Sequence, residues 1–172
     1  DGAKNPDNRQ IELIAKIISS TGLKVQTGGG IRSFADVQAL IDAGADINAR
    51  VSNPANATNY EDPLTAALSK DQLENFDILL AAGADPTVKK DGEPGTTPLI
   101  MAANHYNWEA LKTLLDMGVD TNVGDTRGWH AIKKLAKNGI PKSVKFMRAL
   151  LKAGCNPNRP DNETDCAIHN AV

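Results

Sequence analysis

A Leu-rich segment closed by glycine recurs four times in this chain: LIDAGAD (40–46), LLAAGAD (79–85), LLDMGVD (114–120) and LLKAGCN (150–156). The glycines, Gly44, Gly83, Gly118 and Gly154, lie 39, 35 and 36 residues apart. A second marker stays in phase with the first. DPLTAAL (62–68), TPLIMAA (97–103), HAIKKLA (130–136) and CAIHNAV (166–172) start at spacings of 35, 33 and 36. The second and third copies superpose without a gap, and the fourth carries three extra residues near NGIPKS (138–143). Two phased motifs at such a period confine the chain to a stacked repeat. No single unit buries its own apolar face, so neighbours supply the stability.

The local chemistry fits a pair of helices per copy. Thr97 can cap a helix and Pro98 can open it at the position where no N–H is needed. The Ala pairs that follow let neighbouring helices approach. The second helix presents apolar residues at helical spacing: Val37/Leu40/Ile41, Phe76/Leu79/Leu80, Leu111/Leu114/Leu115 and Met147/Leu150/Leu151. Each glycine then ends that helix in the left-handed conformation. The polar residues after it suit a hairpin-like loop to the next copy.

This alternation resembles the ankyrin repeat, with its TPLHxAA…LLxxGAD signature, over about residues 34–172. The resemblance implies an all-α solenoid of four to five helix-pair repeats, the last incomplete. It also implies a protein partner, bound through loop tips and the concave face. By phase, the tip positions are Tyr60, Glu61, Glu93, Thr96, Arg127, Trp129 and Asp165. The helix-face positions are Ser69, Lys70, Asn104, His105, Lys137 and Asn138. Trp129 and Arg127 stand out, because exposed Trp and Arg favour binding anchors. Tyr106 takes the place of a helix-ending glycine and is expected to be exposed. Trp108 falls at a core-facing start of the second helix. CAIHNAV begins a fifth copy, which leaves an uncovered apolar edge where self-association is expected.

A second resemblance covers residues 1–45. DGAKNPDNRQIELIAKI, VQTGGGIRS and DVQALIDAGA closely resemble a stretch of HisA, the ribotide isomerase of histidine biosynthesis. The resemblance implies a phosphate-binding turn at Gly28, Gly29 and Gly30, with Arg32 and Ser33 beside it. A glycine turn leading into a helix N-terminus is a plausible anion site. An active isomerase, or a remnant that keeps only phosphate binding, is therefore the alternative function. Against activity stands the length, since a (β/α)8 barrel takes about 200–250 residues. The two aspartates that the resemblance implies for isomerisation find no matching position. Residues 1–33 are expected to serve as an N-terminal cap, with a helix across about 8–20 packed against a helix at 34–43. VQALIDAGADINAR (37–50) is the seam: its helix and glycine satisfy both families, and ADINAR only the ankyrin one.

Composition excludes several other classes. The chain has 172 residues, 41% of them hydrophobic but only 4% aromatic, so its core must be built from small aliphatic residues. The net charge of −2 points to no polyanion or membrane. There is no apolar run long enough to span a membrane, and DGAKNPDNRQ does not read as a signal peptide. Cys155, Cys166 and the scattered histidines (His105, His130, His169) show no metal spacing, so no metal, cofactor or catalytic residue is expected. Free cysteines suit a reducing cytoplasmic compartment. The isomerase-like stretch suggests a microbial gene, and delivery of an effector into a host cytosol is an analogy only. The charge is uneven. Arg127, Lys133, Lys134, Lys137, Lys142, Lys145, Arg148 and Lys152 fall in a stretch without an acid, while Glu61, Asp62, Asp71, Glu74 and Asp77 cluster earlier. A basic end of this kind suits an acidic protein partner, an anionic lipid head group or RNA. Without interleaved aromatics, nucleic acid is not expected.

Overall fold

The computed structural model describes residues 34–49, 51–53, 56–88, 96–138 and 140–167. Among these are seven helices: α1 (Phe34–Asp42), α2 (Pro63–Ser69), α3 (Leu73–Ala81), α4 (Pro98–Asn104), α5 (Trp108–Asp116), α6 (Ala131–Asn138) and α7 (Ser143–Lys152). One antiparallel ribbon, β1 (Val51–Asn53) and β2 (Asn56–Glu61), joins α1 to α2, with Val51 opposite Glu61 and Ser52 opposite Tyr60. The expected helix at 8–20, and with it the cap, lies outside the described residues, as does most of CAIHNAV.

The helices pair and stack as the repeat requires. Within pairs, α2 packs on α3, α4 on α5 and α6 on α7. Between pairs, α2, α4 and α6 pack in an inner row, and on the outer side α1 packs on α3 and α5 on α7. The starts of the inner helices α2 and α4 are dictated locally. Asp62 accepts from the Thr65 amide at 2.9 Å, Thr97 caps α4 through the Ile100 amide at 3.3 Å, and a proline follows each cap. The outer helices end at glycines with φ of +95°, +92°, +75° and +88° for Gly44, Gly83, Gly118 and Gly154. The three extra residues of the fourth copy are distributed singly. α6 has 8 residues where α2 and α4 have 7, α7 has 10 where α3 and α5 have 9, and the turn between takes the third.

The core runs continuously between the two rows. Leu64, Leu68, Phe76, Ile100, Leu111, Leu114, Leu135 and Leu150 are almost fully buried, with Ala67, Ala102, Ala103 and Ala131 at the close helix contacts. Burial of each larger side chain stabilises by roughly 1.5–3 kcal/mol. Polar links tie neighbouring repeats at both ends of the helices. Asn48 accepts from the Asp85 amide at 2.8 Å and Asn122 from the Asn156 amide at 2.7 Å. At the opposite end, Asn107 donates to Asp71 at 3.1 Å.

The last outer helix departs from the expected apolar stripe. Leu151 is exposed and Met147 only half-buried, whereas Phe146 is buried. Phe146 turns toward α5, where it meets the rings of Tyr106 and Trp108 edge-on at 5.9 and 5.4 Å. Two adjacent repeats are cross-linked by aromatic packing there, and Val144 and Leu151 are left on the outer side.

Candidate functional site

The loop tip before α6 is built around a buried carboxylate. The Asp125 side chain is wholly inaccessible, and its Oδ1 accepts from the amides of Arg127 and Trp129, both at 2.9 Å. Its Oδ2 pairs with the Lys134 ammonium at 2.7 Å and with the Arg127 guanidinium at 3.6 Å. The Asp125 amide donates to the Trp129 carbonyl at 3.0 Å, closing the tip. Gly128, at φ +77°, has the conformation that allows this turn, and a Cβ there would come within 2.8 Å of Asn162 Oδ1.

The next tip repeats the design one period later. Asp161 Oδ1 accepts from the amides of Glu163 and Asp165 at 2.8 and 2.9 Å, and Asp161 Oδ2 takes the Lys133 ammonium. Lys133 also donates to the Asp165 carbonyl at 3.2 Å. Burial alone would raise the Asp161 carboxyl. The Lys133 ammonium and the two backbone N–H groups outweigh it and hold the group down to about 2. The two tips are bonded to each other: Asn162 donates its amide to the Arg127 carbonyl at 3.0 Å and its side-chain nitrogen to the Thr126 carbonyl at 2.8 Å.

Lys133 and Lys134 occupy the repeat positions of Ile100 and Met101 one copy earlier, and like them are buried. Two of the eight cations of the basic stretch are therefore spent inside the fold, on Asp161 and Asp125. His130 stands at the cap position of Thr97 and is also fully buried. Burial, helped by the nearby charges of Arg159 and Lys133, keeps its imidazole below the usual 6.5. The backbone of Gly128 and Asn156 lies beside the ring and pulls the other way, yet neither ring nitrogen makes a hydrogen bond of normal geometry.

Trp129 is half-buried and lies under four cations. The ring centroid is 4.8 Å from the Arg127 guanidinium carbon, and 5.0, 4.7 and 4.4 Å from the Nζ atoms of Lys133, Lys134 and Lys137. Arg127 and Lys137 are exposed, so the ring, the guanidinium and one ammonium make an accessible corner where the tip meets α6.

The other expected binding residues are dispersed. Asn104 and His105 are exposed at the end of α4. Tyr106 does hold a positive φ of 53° in a glycine's place, but it is not the exposed residue expected. It is half-buried, its hydroxyl is shut from solvent, and its ring packs on Phe146 under the Lys142 ammonium at 4.4 Å. Thr96, expected at a tip, is buried beside the Thr97 cap. Asp165 is half-buried within the second tip, Ser69 is half-buried, and Lys70 is exposed at the end of α2. Tyr60 and Glu61 lie in β2 and Asn138 ends α6. Glu93 and the turn residues Gly28, Gly29, Gly30, Arg32 and Ser33 lie outside the described residues. Asp125, Asp161 and His130 were not singled out by sequence reasoning. Their only signal is that Asp125 and Asp161 stand at the same position of successive copies.

No helix among the described residues is long and apolar enough to cross a membrane. Nor do they group three or more His, Cys, Asp or Glu side chains around a metal position. Cys155 is buried beside the Thr121 carbonyl, and burial pushes its thiol up to about 11, far from a reactive thiolate.

Stacked helix pairs with ordered loop tips define a repeat solenoid. The family model for ankyrin repeats matches three copies over residues 64–161, more than half of the chain, and the chain belongs to the ankyrin-repeat family. A model for the histidine biosynthesis protein family matches residues 1–81. The two matches overlap at 64–81, where the structure holds α2 and α3. An imidazole-4-carboxamide isomerase of Idiomarina loihiensis is 56% identical over 118 residues, which cover 69% of this chain and 46% of that protein. A Buchnera aphidicola isomerase is 59% identical over 44 residues, covering 26% and 18%. The E3 ubiquitin-protein ligase KEG of Arabidopsis thaliana is 34% identical over 135 residues, covering 71% of this chain and 8% of that protein. The chain thus spans less than half the length of these relatives.

Proposed function

We propose that this chain is a non-catalytic interaction scaffold, acting in the cytoplasm, that recognises another protein through the loop tips and the inner helices α4 and α6. The observation that carries this reading is the Trp129 corner. A half-exposed indole and an exposed guanidinium sit on a tip held by buried hydrogen bonds and tied to its neighbour. Little conformational freedom remains to be lost on binding, which favours affinity. Asn104 and His105 at the end of α4 extend the same surface along the inner row. Glu93 and Tyr60 are the equivalent candidates on earlier tips.

The isomerase-like segment is read as a cap that contributes burial and no catalysis. No position of the chain matches the aspartates implied for isomerisation, and most of a barrel is lacking. Affinity capture from microbial and host cytosol, with wild type beside the Trp129→Ala/Arg127→Ala variant, tests the scaffold reading. The expected result is a protein retained by the wild type and lost by the variant. Capture of nothing, together with calorimetric binding of the isomerase's bisphosphate substrate that Gly29→Asp abolishes, would move the function to the glycine turn.

A further inference from the structure

Between residues 126 and 160 the chain holds nine Lys or Arg and no Asp or Glu. Lys133 and Lys134 are buried on their own carboxylates, and the other seven cations are exposed. These seven are not equivalent. Lys145, Arg148 and Lys152 belong to the outer helix α7, where Lys145 lies on the Trp108 ring with its Nζ 3.6 Å from the centroid. Arg127 and Lys137 instead converge from the tip and from α6 on the Trp129 ring, whose centroid also has the Lys133 and Lys134 ammonium groups 5.0 and 4.7 Å away. Four positive charges around Trp129 face two carboxylates, Asp125 and Asp161, both beneath the surface. Among the described residues Lys137 has no carboxylate within ion-pair distance. Cations drawn together in excess leave a positive potential over the exposed part of the indole.

We infer that the partner presents an acidic segment, and that one of its Asp or Glu carboxylates docks between Arg127 and Lys137 while an adjacent apolar side chain covers the Trp129 ring. This rests on the scaffold reading above and specifies the partner's chemistry. The carboxylate neutralises the two cations that lack a full counter-charge, and the indole supplies apolar contact area. The α7 cations lie apart from the inner row and contribute only long-range attraction, which salt screens.

The test is a selection of displayed random peptides on the full chain, followed by fluorescence anisotropy of the enriched sequences. Enrichment of Asp/Glu clusters beside an apolar residue is expected. Arg127→Gln/Lys137→Gln should then weaken binding by about tenfold or more, and Lys145→Gln/Arg148→Gln by less than about twofold. Matching circular dichroism melts confirm that both variants fold. Peptides without acids, an equal loss from both variants, or no enrichment each overturn the inference. So does a dimer in sedimentation that Arg127→Gln/Lys137→Gln dissociates, because the occupant is then a second copy. Non-acidic peptides still lost on Trp129→Ala would leave the scaffold reading standing. No enriched peptide together with no captured protein would end both.

Discussion

Asp125→Asn isolates the contribution of one charge to the tip. The amide keeps an oxygen for the Arg127 and Trp129 N–H groups, both at 2.9 Å, so the backbone of the turn survives. What disappears is the counter-charge of Lys134, whose ammonium lies 2.7 Å from Asp125 Oδ2 with a side chain 9% accessible. Breaking a buried ion pair by removing one partner costs about 3–5 kcal/mol, and the small opening to solvent favours the lower end, about 3 kcal/mol. Lys134 stands where the previous copy has Met101, itself buried. Asp125→Asn/Lys134→Met should therefore recover to within about 1 kcal/mol of wild type, since an apolar replacement of a buried pair is often neutral. Urea unfolding followed by circular dichroism measures both. A loss below about 1 kcal/mol for the single variant, or a double variant no better than the single, would refute the account of a buried charge that the fold must compensate.

Acid should destabilise the protein in two steps. His130 is held below 6.5 by burial, so the unfolded chain takes its proton first and stability falls as pH drops through 6.5. Asp161, held at about 2 against an ordinary 3.8, contributes fully above about 4 and loses its contribution between 4 and 2. His130→Thr, the residue of the previous copy, should flatten the first step in a series of urea midpoints, and an unchanged profile would contradict it. Gly118→Ala should cost about 1–2 kcal/mol, because its φ of +75° is strained for alanine although a Cβ there meets open space. Gly128→Ala should cost more, since its Cβ also meets Asn162; equal losses in thermal melts would show that the tips yield to each other. Phe146→Ala should lose about 3–5 kcal/mol in the same urea titration, and a loss below about 1 would show that the aromatic cross-link carries little.

The repeat frame was legible because its determinants are local. A Thr–Pro cap, an apolar stripe and a terminal glycine each act within a few residues, and recurrence confirms the phase. The tip chemistry was not legible, because Lys133 and Asp161 meet across 28 residues that only the stacking brings together. A lysine run reads as solvated surface until something shows which side of the helix faces the next tip. Tyr106 misled for a similar reason. Its left-handed backbone follows from its place in the turn, but its burial depends on Phe146, forty positions away. Phe146 lies four residues before Leu150 and shares its inward face, as Ala110 does with Leu114, whereas the expected stripe followed the three-residue spacing from Met147.

Each helix pair packs mainly on its neighbours, so what happens in one repeat is hardly felt two repeats away. Charge can consequently be sorted along the array without the fold resisting. Residues 34–88 hold nine Asp or Glu against Arg50 and Lys70, whereas 126–160 hold cations alone. A body so polarised experiences a torque in the field of a charged partner. An anionic partner would turn it before touching it, so that a larger share of encounters begin with the Trp129 end foremost.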